Sequence, residues 1–506
     1  RKNNELRTME TISFQPDLRP ELPLVDGPKE YREQRALFLR IEDLLSQTGL
    51  ERDFITLSMA HRKIDLSQCS AAEAQSLSKS CTLALRSNIA RSVTEMNHRE
   101  FCIRLADSAL LQWFLQVGRV DGVSTFAKST SDRFAHFIDA QSLLAFNAKV
   151  INLLQSDTQA DFGLEKAISF EAIFFDSTCL KAPIHHPVDW VLLRDATRTL
   201  MKATARIRKK GLLCRMPQEP LSFLSDMNTL CMQMTAKHRT TEGKRHRKDV
   251  LRKMKKLLNR VQKHAQRHLN LLKERGEDSD LSPGVIQCII TQIESILSQV
   301  PSIIKQAHER IIGGRKIANK EKTLSLYDAD VQVITRGKSN GEVEFGNNLW
   351  IGENNDGFIV DYLLEKEKTN DAKQIEPAIT RLVKEQSLPI KSVWGDRGLH
   401  SAANEEILKS NDIYSGLCPR DVNVLSERLK DEPELREGLK RRAGTEARIS
   451  IIIRKFMGTP ARAKGFENRE MMVGWAVLSH NLWKLARLKQ AEAVQVFEPE
   501  DIPEAA

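Results

Sequence analysis

A short apolar strand that carries an acid, set between two long helical stretches, constrains the fold of this chain more than any other feature. The segment AISFEAIFFDST, residues 167–178, is typical of a buried strand that ends near Asp176. Residues 31–154 before it and 189–320 after it follow helical periods. Strand patterns return only after Lys322, so we predict a mixed α+β fold with a long helical insertion between its first two strands.

The rest of the strand pattern lies in the last third of the chain. DVQVITRG, EVEFGNNLWIGE and FIVDYLLE, separated by KSNG and NNDG, are predicted to be antiparallel strands, with Asp361 on the exposed face of the last. The helix DAKQIEPAITRLVKEQ follows, and IKSVWGDRG is typical of a strand that ends at Asp396. After a helix capped by Ser401 and a further strand, IYSGLC, the segment GTEARISIIIRKF is predicted to be a helix that carries Glu446.

These patterns divide the 506 residues into four parts. Residues 1–30 are rich in proline and charge and are expected to be loose. Residues 31–160 are predicted to form an all-α N-terminal domain. Residues 161–490 are predicted to form an α+β domain that contains the helical insertion at about 189–320, and residues 491–506 an acidic tail.

Three acids stand at comparable points of this pattern. Asp176 and Asp396 end strands and Glu446 lies on a late helix, an order typical of a ribonuclease-H-like fold that brings three acids to one point. Carboxylates are hard oxygen ligands for divalent cations. Two cations can activate the attacking oxygen and stabilise the leaving oxygen in phosphodiester displacement. We predict that these acids are catalytic and bind two Mg²⁺ ions, with Mn²⁺ as an expected substitute.

Each acid also has a purely structural interpretation, which the sequence leaves open. Asp176 can cap the turn at Ser177, Asp396 can be a turn residue, and Glu446 can be solvated or pair with Arg442. Taken singly these interpretations are favoured, and taken together in this element order the metal site is favoured.

The helical insertion contains a strongly basic segment. Residues 237–267 hold thirteen Lys or Arg against two acids, a local excess of eleven positive charges in a chain whose net charge is +10. Apolar residues recur there in a heptad-like seam that needs one helix face for packing. The default interpretation is a solvated face, but this charge density favours contacts with nucleic-acid phosphates. The exposed set predicted to bind DNA is Arg252, Lys253, Lys255, Lys256, Arg260 and Lys263.

Other sequence features concern the cellular setting. No apolar run approaches the roughly 18 to 20 residues that a membrane helix needs, so we expect no membrane partner. The eight cysteines are scattered without a C-x-x-C pair, which is typical of reduced thiols inside the cell. His264 and His268 form an i, i+4 pair, but no acid is placed nearby to complete a zinc site.

Motifs across most of the chain resemble the DDE transposases of bacterial insertion sequences. FFDSTCLKAPIHHPVDWVLL is similar to the segment around the first aspartate of the family, VEFGNNLWIGE to its next core strand, and SVWGDRGLHS to its second-aspartate motif. RRAGTEARISIIIRKFMGTPARAKG is similar to the region of its glutamate, and residues 101–134 to its N-terminal helical domain. The catalytic acids of the family fall on Asp176, Asp396 and Glu446.

The resemblance implies a function and its partners. It implies metal-dependent cleavage at the ends of an insertion sequence, strand transfer into target duplex DNA, a homodimer on DNA, and a cytoplasmic, nucleoid-associated location. DNA binding is implied for the helical N-terminal domain, residues 31–160, and DNA contacts are implied at Arg442, Arg454 and Lys455. The chain departs from some relatives at Leu439 and Ile453, where those relatives have Tyr and Lys. Two alternatives stay open: a catalytically silent DNA-binding protein derived from a transposase, and a structure-specific nuclease without strand transfer.

Overall fold

The chain is a mixed α+β protein, as predicted, and divides into two compact units. The first unit joins Arg1–Lys181 with Asn347–Ala506, and the second is Ala182–Gly346. The computed structural model of the chain describes residues 21–119, 122–155, 162, 164, 166–235, 240–335 and 343–496, with side chains as far as residue 488.

The first part of the chain is helical before its first long strand, as predicted. A short ribbon of β1 (Gly118–Arg119) and β2 (Gly122–Val123) interrupts the helices. The ten-residue strand β3 (Ala172–Lys181) follows them. The helices are α1 (Lys29–Thr48), α2 (Leu50–His61), α3 (Ala71–Val93), α4 (His98–Asp107), α5 (Ala109–Leu115), α6 (Lys128–Phe134) and α7 (Ala140–Gln155).

The second unit contains the predicted helical insertion. Strand β4 (Gln332–Thr335) pairs antiparallel with Val343–Gly346, the beginning of β5 (Val343–Asn354). The predicted KSNG turn lies outside the described residues. The helices are α8 (Asp189–Arg208), α9 (Pro220–Thr235), α10 (Thr241–Arg275) and α11 (Pro283–Ala307).

The second unit has a hydrophobic core of its own. All four of its helices contribute to that core. The predicted seam on α10 is confirmed, since Val250, Met254, Leu257 and Val261 are all buried. The two ends of the unit lie side by side, because the N–H of Ala182 donates a hydrogen bond to the carbonyl of Phe345 at 2.9 Å.

The rest of the first unit supplies most of its sheet. Among the described residues no helix is both long enough and apolar enough to cross a lipid bilayer. Helix α16 continues to Val496, so the predicted acidic tail begins as helix, and residues 497–506 lie outside the described residues. The elements are β6 (Ile359–Leu364), α12 (Ile375–Ile379), β7 (Ser392–Gly395), α13 (Ala402–Ser410), β8 (Tyr414–Leu417), α14 (Val422–Asp431), α15 (Pro433–Ile451) and α16 (Phe466–Val496).

The sheet of the first unit has the strand order β6-β5-β3-β7-β8. β6 pairs antiparallel with β5, whereas β3, β7 and β8 are parallel. Helices α1, α3 and α7 pack on α16, and α16 packs on β6, on the side of the large core. These helices and the sheet belong to one compact unit, which is not divided near residue 160. The domain boundary predicted there therefore stays a prediction.

The prediction that the first strand ends near Asp176 is wrong. β3 continues five residues further, to Lys181. It is placed between β5 and β7, and the N–H of Ala461 donates a hydrogen bond to the carbonyl of Lys181 at 2.8 Å. These partners are remote in sequence, so the polar residues after Asp176 concealed the rest of the strand.

Candidate active site

Asp176 lies in β3 on the face of the sheet that α15 covers. Successive side chains of a strand point to opposite faces. Ile173 and Phe175 join the large core of the first unit, whereas Phe174 packs with Trp394 in a separate cluster beneath α15. Asp176 follows Phe174 by two residues and therefore shares its face. Only 16% of its side chain is exposed.

Asp396 directly follows β7, as predicted. β3 and β7 pair in parallel up to Trp394, and continuing that register by two residues sets Asp396 beside Asp176. Neighbouring strands are about 4.8 Å apart. The Oδ1 atom of Asp396 accepts a hydrogen bond from the N–H of Gly398 at 2.8 Å, so this residue also shapes the turn.

Helix α15 carries Glu446 and packs against β3, β7 and β8. Its approach is close because Gly416 and Gly438 both face Trp394. A Cβ atom would meet the indole ring at 2.2 Å from the first position and at 2.0 Å from the second. Glu446 itself is exposed. One turn earlier, the Nη1 atom of Arg442 lies 3.8 Å from Oδ2 of Asp176.

The electrostatics show that the three acids share one neighbourhood. Burial raises the pKa of the Asp176 carboxyl from its ordinary 3.8 to about 6. The N–H of Ser177 and the guanidinium of Arg442 oppose this rise, and the carboxylates of Asp396 and Glu446 add to it. The positive charge of Arg442 therefore leaves the negative charge of Asp176 only partly compensated.

The donors suit a divalent cation in type and in charge. Three carboxylates offer hard oxygen ligands, and a cation would offset both the burial and the repulsion that raise the pKa of Asp176. In the described parts of the chain no group of three or more Asp, Glu, His or Cys residues is arranged to hold a metal ion.

The sequence pattern missed Glu353, at the end of β5. This acid is 1% exposed, and its Oε1 atom accepts hydrogen bonds from three side chains of α15. The donors are the hydroxyl of Thr445 (2.7 Å), Nη1 of Arg441 (3.0 Å) and Nη1 of Arg448 (3.1 Å). An acid that ends the apolar run LWIGE is the same signal that identified Asp176, and it was available in the sequence.

Asp361 was expected on the exposed face of its strand, and this is wrong. Its side chain is 1% exposed. Both carboxylate oxygens accept hydrogen bonds from Arg381, each at 2.8 Å, and Oδ2 also accepts one from the indole N–H of Trp350 at 3.0 Å. Nearly all residues of β6 are buried, so the strand has no solvated face for an acid.

Helix α10 of the second unit carries the predicted basic surface. Lys253, Lys256, Arg260 and Lys263 are exposed, and none pairs with another described side chain. Their spacing of three, four and three residues aligns them on one face over about 15 Å. We call these four residues the basic stripe.

Two residues of the predicted set differ from the basic stripe. Arg252 is exposed but forms an ion pair with Asp249. Lys255 is half-buried, with its Nζ atom 3.1 Å from Nδ1 of His308. The prediction that the whole set is exposed is therefore wrong only for Lys255, whereas Arg252 is exposed as predicted but has an acidic partner.

The remaining predicted DNA contacts differ in their availability. Arg454 is exposed, and Arg442 is 22% exposed beside Asp176. Lys455 is 28% exposed and forms an ion pair with Glu95 at 2.8 Å. Arg454 is therefore more available to a ligand than Lys455 is.

Comparisons with known proteins add no relative. A search against models of protein families, a search of curated protein sequences and a search of solved structures each found no match to this chain. The resemblance to DDE transposases therefore stays an expectation carried by the sequence motifs.

Proposed function

We propose that this protein is a metal-dependent DNA transposase of the DDE type with a ribonuclease-H-like catalytic core. One observation carries the proposal: the carboxylates of Asp396 and Glu446, on elements far apart in sequence from the strand of Asp176, both act electrostatically on Asp176 at one face of a sheet. The sheet supports it, because the strand of the first acid lies at its centre, next to the strand of the second acid and beneath the helix of the third.

Each group of side chains has a separate role in this proposal. Asp176, Asp396 and Glu446 would hold two Mg²⁺ ions, which would supply activation of the attacking oxygen and stabilisation of the leaving oxygen. Arg442 orients Asp176 and offers a positive charge to the phosphate being attacked. The basic stripe holds duplex DNA through its phosphates. We expect a homodimer on element ends, in the cytoplasm and associated with the nucleoid.

The acids are tested by replacing each with its amide. Asp176→Asn, Asp396→Asn and Glu446→Gln should each abolish Mg²⁺-dependent cleavage of DNA that carries the repeats flanking the coding sequence. DNA affinity should stay nearly unchanged, because phosphate contacts elsewhere supply it. Cleavage at the wild-type rate in any one variant would remove that residue from the site.

A second assay separates the alternatives. Pre-cut ends with free 3′-hydroxyls are incubated with target DNA and either Mg²⁺ or Mn²⁺. Joining supports a transposase, whereas cleavage without joining supports a nuclease. The finding that, among the described residues, no group of three or more Asp, Glu, His or Cys residues is arranged to hold a metal ion favours the silent alternative, and DNA binding without cleavage in either metal would select it.

A further inference from the structure

We infer that Glu353 is a positioning residue that fixes the rotation of α15 about its own axis, and so directs Arg442 and Glu446 towards Asp176. The catalytic meaning of this role rests on the proposed function. The contacts that define it are independent of that function.

The contacts of Glu353 select one face of α15. Arg441, Thr445 and Arg448 are spaced four and three residues apart, so they line one side of the helix, and all three donate to the Oε1 atom of Glu353. Arg442 and Glu446 each follow a member of that face by one residue, a rotation of about 100°. Holding the first face on Glu353 therefore sets the direction of the second.

The arginines are held on their other sides as well. Arg441 donates to the carbonyls of Asn354 and Asn355, at 3.1 and 2.8 Å, and its guanidinium lies 4.4 Å from the centre of the Phe174 ring. Arg448 lies so close to Gly357 that a Cβ atom there would be 2.6 Å from its Nε atom. The turn between β5 and β6 thus encloses both arginines, with Glu353 between them.

Glu353 is also tied to the strand that carries Asp176. The preceding residue, Gly352, lies against Phe175, where a Cβ atom would be 2.6 Å from the ring. Phe175 immediately precedes Asp176. A short path of packed atoms through Glu353 and Gly352 therefore joins the helix that carries Glu446 to the strand that carries Asp176. Outer residues of this kind typically change metal affinity or activity by 10- to 100-fold when replaced.

The test compares Glu353→Gln with Asp361→Asn. Both changes remove the charge of an acid that is 1% exposed and paired with arginine, but the hydrogen-bond donors to Asp361 are Arg381 and Trp350, outside α15. We expect Glu353→Gln to weaken Mn²⁺ binding by about 10- to 100-fold. Electron paramagnetic resonance in the absence of DNA measures this binding. The kcat of this variant for cleavage should fall similarly while KM for DNA stays within about twofold. Asp361→Asn should leave the Mn²⁺ affinity and the kcat for cleavage each within about threefold of the wild-type value.

Two further measurements keep the inference testable. Glu353→Gln should regain cleavage at high Mn²⁺ concentration, whereas Glu446→Gln should not, because it lacks a ligand. Thr445→Val removes one donor to Glu353 without changing side-chain volume, and should give a smaller loss of the same kind if Glu353→Gln fails to fold. Amide hydrogen exchange in α15 should rise in Glu353→Gln and stay unchanged in Asp361→Asn.

The outcomes distinguish this inference from the proposed function. If the wild type cleaves DNA and Glu353→Gln behaves like Asp361→Asn in metal binding and kcat, the positioning role is overturned. If the wild type cleaves nothing in either metal, the proposed function fails. Hydrogen exchange then decides the inference alone, and unchanged exchange in α15 overturns it.

Discussion

Asp176 places a carboxylate where its own fold penalises the negative charge. Its folded-state pKa of about 6 lies above the ordinary value of 3.8, so the folded state holds the proton more tightly than the unfolded state. The free energy of unfolding therefore falls as pH rises from about 4 to 6, and the full penalty applies above that range. Metal binding would remove this penalty, as expected of a site built for a cation.

The first prediction concerns Asp176→Asn in the presence of a chelator. At pH 7.5 the variant should be more stable than the wild type by up to about 3 kcal/mol, because it lacks the buried charge. Near pH 4 the difference should vanish, since Asp176 is then protonated in the folded state. Urea unfolding at both pH values measures this. Asp361→Asn should instead destabilise the protein at pH 7.5, because it leaves Arg381 without its partner.

The second prediction uses the same pair of proteins with Mg²⁺. The wild type should gain stability with rising Mg²⁺, and Asp176→Asn should gain far less, because only the folded wild type offers the full ligand set. Thermal unfolding across a Mg²⁺ titration, with Ca²⁺ in parallel, measures the effect. Equal gains in both proteins would show that the ions bind elsewhere.

At the residue scale, local pattern identified the three acids but not their neighbours. Asp176 and Asp396 follow short apolar runs, so their positions could be predicted from the strand pattern, although β3 continues beyond Asp176. Asp361 was misjudged because its partner Arg381 is 20 residues away, on an element that covers the strand. Glu353 and Arg441 are 88 residues apart. Strand periodicity cannot predict pairs that only the tertiary fold brings together.

At the element scale, the close packing of α15 against the sheet depends on Gly438, which has no side chain. Gly438→Ala should destabilise the protein by about 1 to 3 kcal/mol, because the new methyl group overlaps Trp394. Cleavage should fall more than DNA affinity, since the displaced helix carries Glu446. Gly444→Ala in the same helix is the control. Its Cβ atom would meet only Arg441, at 3.9 Å, so the change should be neutral or slightly stabilising.

The fourth prediction concerns the basic stripe on α10. Replacing Lys253, Lys256, Arg260 and Lys263 by Gln should reduce the log–log salt slope of duplex DNA affinity by up to about three to four, since each phosphate contact contributes about 0.9. Affinity should fall similarly for all DNA sequences. The helix should persist, because Gln is a good helix former. Fluorescence anisotropy across a salt series measures the slope.

A charge-matched variant controls for net charge. Lys210, Arg252, Lys273 and Arg275 are cations of the same unit, each paired with an acid. Their replacement by Gln removes the same charge from residues that already have partners, so the slope should change less. If both variants lose the slope equally, net charge governs affinity and the stripe has no special role.

Element order could be predicted from sequence more reliably than element length. The seam of α10 and the cap at Ser401 follow from local spacing, and both are confirmed. The extension of β3 to Lys181 could not be predicted, because remote chain segments supply its hydrogen bonds. Likewise, the pairing of Arg252 with Asp249 required the side-chain geometry.

At the scale of the whole molecule, the second unit has the features of a separable domain. It has its own core, and its ends are joined by a hydrogen bond. Residues 182–346 expressed alone should therefore unfold cooperatively and bind duplex DNA with a strong salt dependence, but cleave nothing. Circular dichroism and anisotropy measure these properties, and the fragment with four Gln in the basic stripe is the control. A fragment without cooperative unfolding would contradict the prediction.

The hydrogen bond between Ala182 and Phe345 also bears on the order of folding. The central strands β3 and β5 are neighbours although the whole second unit separates them in sequence, so their pairing would otherwise close a loop of roughly 160 residues. If the unit folds first, its joined ends shorten that loop to a few residues. The entropic cost of closing the loop then falls by about 3 kcal/mol. We therefore expect the inserted helices to fold early and the sheet of the first unit late. Mutations that slow folding of the whole chain should then concentrate in the second unit.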